Sequence, residues 1–147
     1  MKIGSYLLIS LVLVIPYAFV SGCGGSSTGG KDMKNTTGSP AAKDGLMDLS
    51  LLLTEIKAAK GKMPSSANDF AQHDIAHPAA GVTAVNGTIV YLVGATVDAK
   101  DTSGKLVAMQ KDADKSGGWV LLSNGEVKDL SAAEVTALPL GGKMPKK

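Results

Sequence analysis

The dipeptide Asn124-Gly125 constrains the fold of this chain more than any other feature of its sequence. It lies between two runs of strand composition, and Asn-Gly in that position is the strongest short signal for a β-hairpin with a type I′ turn. Such a turn pairs Leu122 with Val127 and places both beside Val120 on one face, which we take as the core face. The sequence therefore predicts an antiparallel sheet.

Further runs of β-branched and apolar residues indicate the other strands of this sheet. The composition becomes strand-like from Val82 onwards, and strands are predicted at 88–93 and 105–110. The two strands of the hairpin are predicted at 119–123 and 126–130. We expect a sheet of three or four antiparallel strands.

A helix is predicted ahead of the sheet, at 46–60, with Asp44 or Asp48 near its N-terminus and Gly61 at the C′ position. Leucines and other apolar residues recur there at helical spacing, and the wide stripe predicts a well-buried helix. The residues of this stripe are Leu46, Met47, Leu49, Leu51, Leu52, Leu53, Ile56 and Ala59.

Two shorter helices complete the predicted fold. One lies within 65–76 and is ended by Pro78, and the other opens at the capping box formed by Ser131 and Glu134. The predicted fold class is α+β: an N-terminal amphipathic helix packed on a small antiparallel sheet, with a short C-terminal helix.

The N-terminal region has the plan of a secretory signal peptide, with a charged Lys2, an apolar run at 6–20 and small residues after it. The apolar run is short for a transmembrane helix, which needs about 20 residues. The predicted organisation is a signal peptide at 1–22, a flexible Gly/Ser/Thr-rich tether at 23–45, a small α+β domain at 46–140 and a basic tail at 141–147.

The end of the signal, Val20-Ser21-Gly22-Cys23, resembles the lipobox of bacterial lipoproteins. This resemblance implies that the Cys23 thiol receives a diacylglycerol, that cleavage precedes Cys23, and that the new amine is acylated too. Two or more acyl chains anchor a protein stably, whereas one holds only marginally. Gly24 stands where a retention signal for the inner membrane has Asp, so the outer membrane is favoured if the host has one.

The segment 114–127 resembles the tail of many bacterial pilin-like proteins, which carry a His, nine residues and Asp-Gly within a hairpin. The Gly-Gly pair, the apolar run, the turn and the final Val match, whereas Asp114 replaces the His and Asn124 replaces the Asp. The resemblance implies a pilin-like α+β domain and no enzymatic activity. A pilin retains its N-terminal helix, so the lipobox argues against filament assembly.

Two histidines at helical spacing, His73 and His77, together with Asp74, are the first candidate metal site. The pattern is similar to the His-Glu-x-x-His helix of zinc proteases, in which an acid activates a metal-bound water. Pro78 follows at once, and the sequence has no further His to act as a third ligand. Both observations favour exposed loop histidines. A small metal-dependent hydrolase that uses His73 and His77 is the alternative.

The segment that contains Asp112, Asp114 and Ser116 is the second candidate, because it copies the first half of a calcium-binding loop. Ser123 stands at the twelfth position, where such loops have a bidentate Glu. A calcium-binding pseudopilin-like module and a polar turn between two strands are the two interpretations.

All 15 basic residues are lysine, and the net charge is +2. The absence of arginine argues against nucleic-acid recognition, because arginine is the preferred side chain for phosphate. The small net charge argues against it too, because it produces no strong attraction for polyanions. No phosphate loop or dinucleotide fingerprint is present. The sequence predicts an exported, membrane-anchored lipoprotein with a non-catalytic structural or interaction domain and no cofactor. Its expected partners are the lipid bilayer, through acylated Cys23, and an envelope protein.

Overall fold

A computed structural model describes residues 38–145. The predictions for the signal peptide, for Cys23 and for most of the tether lie outside these described residues. The elements in chain order are α1 (Pro40–Ala58), a 3₁₀ helix (Ala67–His73), α2 (Pro78–Val85), β1 (Ile89–Tyr91), β2 (Leu106–Gln110), α3 (Ala113–Ser116), β3 (Gly118–Leu122), β4 (Val127–Leu130) and α4 (Ala132–Ala137).

The four strands form one antiparallel sheet in the order β1-β2-β3-β4. Each strand pairs with the next along the chain, as short connections favour. The helix α1 packs against this sheet and against α2. The predicted fold class is therefore confirmed: an N-terminal helix packs on a four-stranded antiparallel sheet, and a short helix follows it.

The β3–β4 hairpin forms where the Asn-Gly dipeptide predicts it, but its register differs by one residue. Val127 pairs with Leu121 and not with Leu122. The N–H of Gly125 donates to the Leu122 carbonyl at 2.9 Å, and Gly125 has a φ of 86°. The loop is therefore longer than the predicted two-residue type I′ turn, and Gly125 adopts a left-handed conformation within it. Val120 and Leu122 are buried, as predicted, but the prediction is wrong for Val127, because the one-residue shift moves it to the opposite face from Val120.

The helix α1 begins at Pro40, ahead of the predicted start, and its N-cap is Ser39. Proline suits the first turn because its φ is already helical and its missing N–H has no partner there. Residues 40–45, which the sequence places in the tether, are therefore helical. Asp44 and Asp48 lie inside the helix, so the prediction that either serves its N-terminus is wrong.

The buried stripe of α1 is narrower than predicted. Leu46, Leu49 and Leu53 are fully buried, but Met47 is 51% exposed and Leu51 is 61% exposed. Met47 and Leu51 are one turn apart, and α1 contacts its neighbours over only part of its circumference. The expectation that both side chains help to bury the helix is therefore wrong.

The helix α1 ends in a Schellman motif. Lys60 has a φ of 55°, and the N–H of Gly61 donates to the Ile56 carbonyl at 2.8 Å. The left-handed C′ position is thus Lys60, so the prediction that Gly61 occupies it is wrong. A lysine adopts this conformation at a cost of about 1 kcal/mol.

The segment between α1 and the sheet holds two helices where one was predicted. The 3₁₀ helix Ala67–His73 lies within 65–76 and is capped by Ser66. Pro78 does not end a helix but begins α2, at the position where proline is most favoured. Val82 belongs to α2, so the strand-like composition does not begin a strand there.

The predicted capping box opens α4 through reciprocal hydrogen bonds between Ser131 and Glu134. The chain then returns to the sheet. Leu140 forms a bridge to the first residue of β2, and the N–H of Lys143 donates to the Val93 carbonyl at 2.9 Å. The first residues of the predicted basic tail therefore pair with the sheet.

None of the helices within residues 38–145 has the length and the apolar character that crossing a membrane requires.

Candidate functional site

His77 lies between two carboxylates of α1. Its Nδ1 is 2.7 Å from Oδ1 of Asp48, and its Nε2 is 3.1 Å from Oε2 of Glu55. His77 is 5% exposed, whereas the side chains of Asp48 and Glu55 are 18% and 69% exposed. The interpretation as an exposed loop histidine is therefore wrong for His77.

The local sequence explains how these three side chains meet. Asp48 and Glu55 are two helical turns apart, so they lie on the same side of α1. His77 is the N-cap residue of α2, which α1 contacts closely. Gly45 permits the close approach, because the side chain of Thr83 occupies the space that a Cβ at position 45 would take.

Asp48 also binds the backbone of α2. Its Oδ2 accepts the N–H of Ala80 at 3.0 Å, in the first turn of α2. The first N–H groups of a helix have no partner within the helix, and a carboxylate there is favoured by the helix dipole. One carboxylate of α1 therefore binds both the ring of His77 and the N-terminus of α2.

The pKa of His77 is raised above its ordinary value. Burial acts in the opposite direction and lowers the pKa, but the hydrogen bonds and charges of Asp48 and Glu55 outweigh it. A charged imidazolium donates through both ring nitrogens, and each of them faces a carboxylate here. The cluster joins α1 to α2, and both ring nitrogens of His77 lie within hydrogen-bond distance of a carboxylate.

His73, the other histidine of the predicted zinc site, is half-buried at the end of the 3₁₀ helix and does not join this cluster. The Asp74 carboxylate packs against Gly81 of α2. Among residues 38–145, no three or more His, Cys, Asp or Glu side chains are grouped so that they could hold a metal ion. The N–H of His77 donates to the His73 carbonyl at 2.8 Å, whereas the His77 ring is held by the carboxylates of Asp48 and Glu55.

The predicted calcium ligands lie in and beside the one-turn helix α3. The Nζ of Lys115 is 2.9 Å from Oδ1 of Asp112, and the hydroxyl of Ser116 donates to the Asp112 carbonyl at 3.1 Å. Asp114 is exposed in this turn. The segment joins β2 to β3 as a helical turn, and the Asp112 carboxylate is paired with an ammonium group.

An open groove lies between α1 and the β3–β4 hairpin. The exposed Met47 and Leu51 line it opposite Val127. At one end the Nζ of Lys43 lies 4.8 Å from the centre of the Trp119 ring, at a distance typical of a cation–π contact. We call these five residues, Lys43, Met47, Leu51, Trp119 and Val127, the α1–hairpin face.

A second apolar surface lies on α2. Val82 and Val85 are both more than half exposed and are spaced three residues apart, so they lie on one side of the helix. We call this pair the α2 face. Neither valine borders the α1–hairpin groove.

In comparisons with known proteins, no family model matches this chain, and no curated protein and no solved structure matches it significantly.

The sequence reasoning missed Asp48 and Glu55 as partners of His77. Their spacing by two turns was visible, but a polar pair on a helix is usually solvated. Asp48 and His77 are separated by 29 residues, and α2 itself was not predicted. Cys23 lies outside the described residues, so its assignment as the lipid-bearing residue stays a prediction.

Proposed function

We propose that this protein is an exported lipoprotein of the bacterial cell envelope, attached to a membrane through acylated Cys23. The support is the lipobox-like Val20-Ser21-Gly22-Cys23 at the end of an apolar signal. Two or more acyl chains on one residue anchor a protein stably. The outer membrane is favoured in a host that has one.

The folded domain acts by contact and not by catalysis. The observation that carries this proposal is the closed geometry of His77, the residue most suited to acid–base or metal chemistry. Both of its ring nitrogens face carboxylates, and its function is to join two helices. The domain instead presents two apolar surfaces, the α1–hairpin face and the α2 face, of the kind that marks interaction sites.

Metabolic labelling with a fatty-acid analogue tests the anchor. The wild-type protein should carry the label, and Cys23→Ser should carry none, because the sequence has no other cysteine to accept the diacylglycerol. Label that persists in Cys23→Ser would place the anchor elsewhere and overturn the first half of the proposal.

Elemental analysis and crosslinking in membranes test the second half. A contact domain should contain no stoichiometric zinc and should crosslink to envelope components. Stoichiometric zinc that disappears in a variant carrying both His73→Ala and His77→Ala would identify the metal hydrolase instead. The double variant also removes the His77 cluster that joins α1 to α2. The single His73→Ala variant keeps that cluster, so it separates the loss of a zinc ligand from the loss of the contact between the helices.

A further inference from the structure

We propose that the folded domain rests on the same bilayer that anchors it, through the α1–hairpin face. This inference depends on the proposed anchoring at Cys23. It assigns the bilayer surface as the occupant of the groove between α1 and the β3–β4 hairpin.

The first argument is the chemistry of the face. Met47 and Leu51 are strongly apolar residues one turn apart on α1, and each is more than half exposed. Beside them lies the half-buried Trp119 under the ammonium group of Lys43. The Nε1 of Trp119 is buried within the domain, so the polar tip here is the Lys43 ammonium group, and an apolar stem with a charged tip suits the boundary between lipid headgroups and acyl chains. Aliphatic side chains flanked by such residues are typical of surfaces that lie in this boundary.

The second argument is the length of chain between the anchor and the domain. From Cys23 to Gly38 there are 38 − 23 = 15 residues, which span at most about 50 Å when fully extended. The Gly/Ser-rich composition predicts a typical separation of about 20 Å. The domain is thereby held at a high effective concentration next to the bilayer.

The third argument is where that chain enters the domain. A Cβ at Gly38 would collide with the ring of Trp119, so the tether reaches the domain beside the α1–hairpin face. Leu51 lies only about 16 Å further along α1 from Pro40, at 1.5 Å per residue. The α1–hairpin face therefore adjoins the anchored end of the domain.

The charges of this surface indicate how it binds. Lys43 is followed on α1 by Asp44, and both side chains are exposed. Asp129 lies opposite Trp119 in the pairing of β3 with β4, so carboxylates accompany the ammonium group of Lys43 and attraction to anionic lipid is weak. We expect apolar insertion of Met47 and Leu51 to dominate, and added salt to change the binding little.

Fluorescence of Trp119, which is the single tryptophan of the chain, tests the proposal. The full-length acylated protein is reconstituted in vesicles of phosphatidylethanolamine and phosphatidylglycerol whose acyl chains are brominated near the headgroup. Bromine quenches an indole only at short range, so we expect a ring at the interface to lose emission in these vesicles relative to vesicles without bromine. A variant carrying Met47→Ser and Leu51→Ser should lose most of this quenching and stay bound to the vesicles.

A variant carrying Val82→Ser and Val85→Ser is the matched control, because it removes an equal number of exposed apolar side chains from the α2 face. Its quenching should equal that of the wild type. All four substituted positions are exposed, so circular dichroism should show the same folded domain in both variants.

Equal fluorescence in brominated and ordinary vesicles would overturn the proposal, as would equal quenching in the two double variants. Quenching that appears only at high protein density would assign the face to a second copy of the chain, which also overturns it. Failure of the wild-type protein to stay with the vesicles is a different result. It would show that the proposed anchoring is wrong before the face is tested.

Discussion

Replacing His77 by glutamine should destabilise the domain, and the loss should be largest at acidic pH. The Asp48 side chain is only 18% exposed, so its charge-assisted hydrogen bond with His77 contributes about 2 kcal/mol. The Glu55 side chain is 69% exposed, and its pairing with His77 adds less than about 1 kcal/mol. The free energy of unfolding should therefore fall by about 2–3 kcal/mol near pH 5.5.

The direction of the pH dependence follows from the raised pKa of His77. A histidine with a raised pKa contributes stability that is fully present below its unfolded-state pKa, near 6.5. That contribution is lost as the pH rises through the higher, folded-state pKa. The difference between wild type and His77→Gln should therefore shrink above neutral pH, to about 1 kcal/mol from the remaining neutral hydrogen bond.

Urea unfolding followed by Trp119 fluorescence measures this difference at several pH values. Asp69 and Asp101, whose pKa values are lowered to about 2 by hydrogen bonds from neighbouring serines, stay charged throughout this range. His73→Gln is the control, because it replaces the other histidine by the same residue and leaves the His77 cluster in place. A difference between wild type and His77→Gln that stays constant from pH 5.5 to pH 8.5 would refute the assignment of a charged His77.

Two further predictions concern close backbone approaches. Gly45→Ala should lower the free energy of unfolding by about 1–3 kcal/mol through the clash with Thr83. This outweighs the gain of about 1 kcal/mol that alanine usually gives inside a helix, and a double-mutant cycle with Thr83→Ala should show the coupling. Gly142→Ala should release the C-terminal segment from the sheet, because its Cβ would lie 2.7 Å from the carbonyl oxygens of Leu92 and Val93. Faster amide exchange at Val93 would show the release, and unchanged exchange would contradict it.

Local patterns in the sequence determined the parts of the fold that short-range interactions control. The strand runs and the turn at Gly125 predicted the hairpin, and the pairing of Ser131 with Glu134 predicted the start of α4. In each case the residues that make the decisive hydrogen bonds lie within a few positions of each other. Helical spacing likewise predicted α1 and its fully buried leucines, because one face of a helix meets the core at regular intervals.

Only the tertiary structure decided the contacts between segments that are far apart in the chain. The register at Val127 depends on the conformation of the loop as well as on its composition, and the exposure of Met47 depends on how much of α1 its neighbours cover. The helix α2 forms although valines favour strands, because it packs on α1, with Thr83 against Gly45. The cluster at His77 follows from that packing, since Asp48 and His77 meet only when α1 and α2 do.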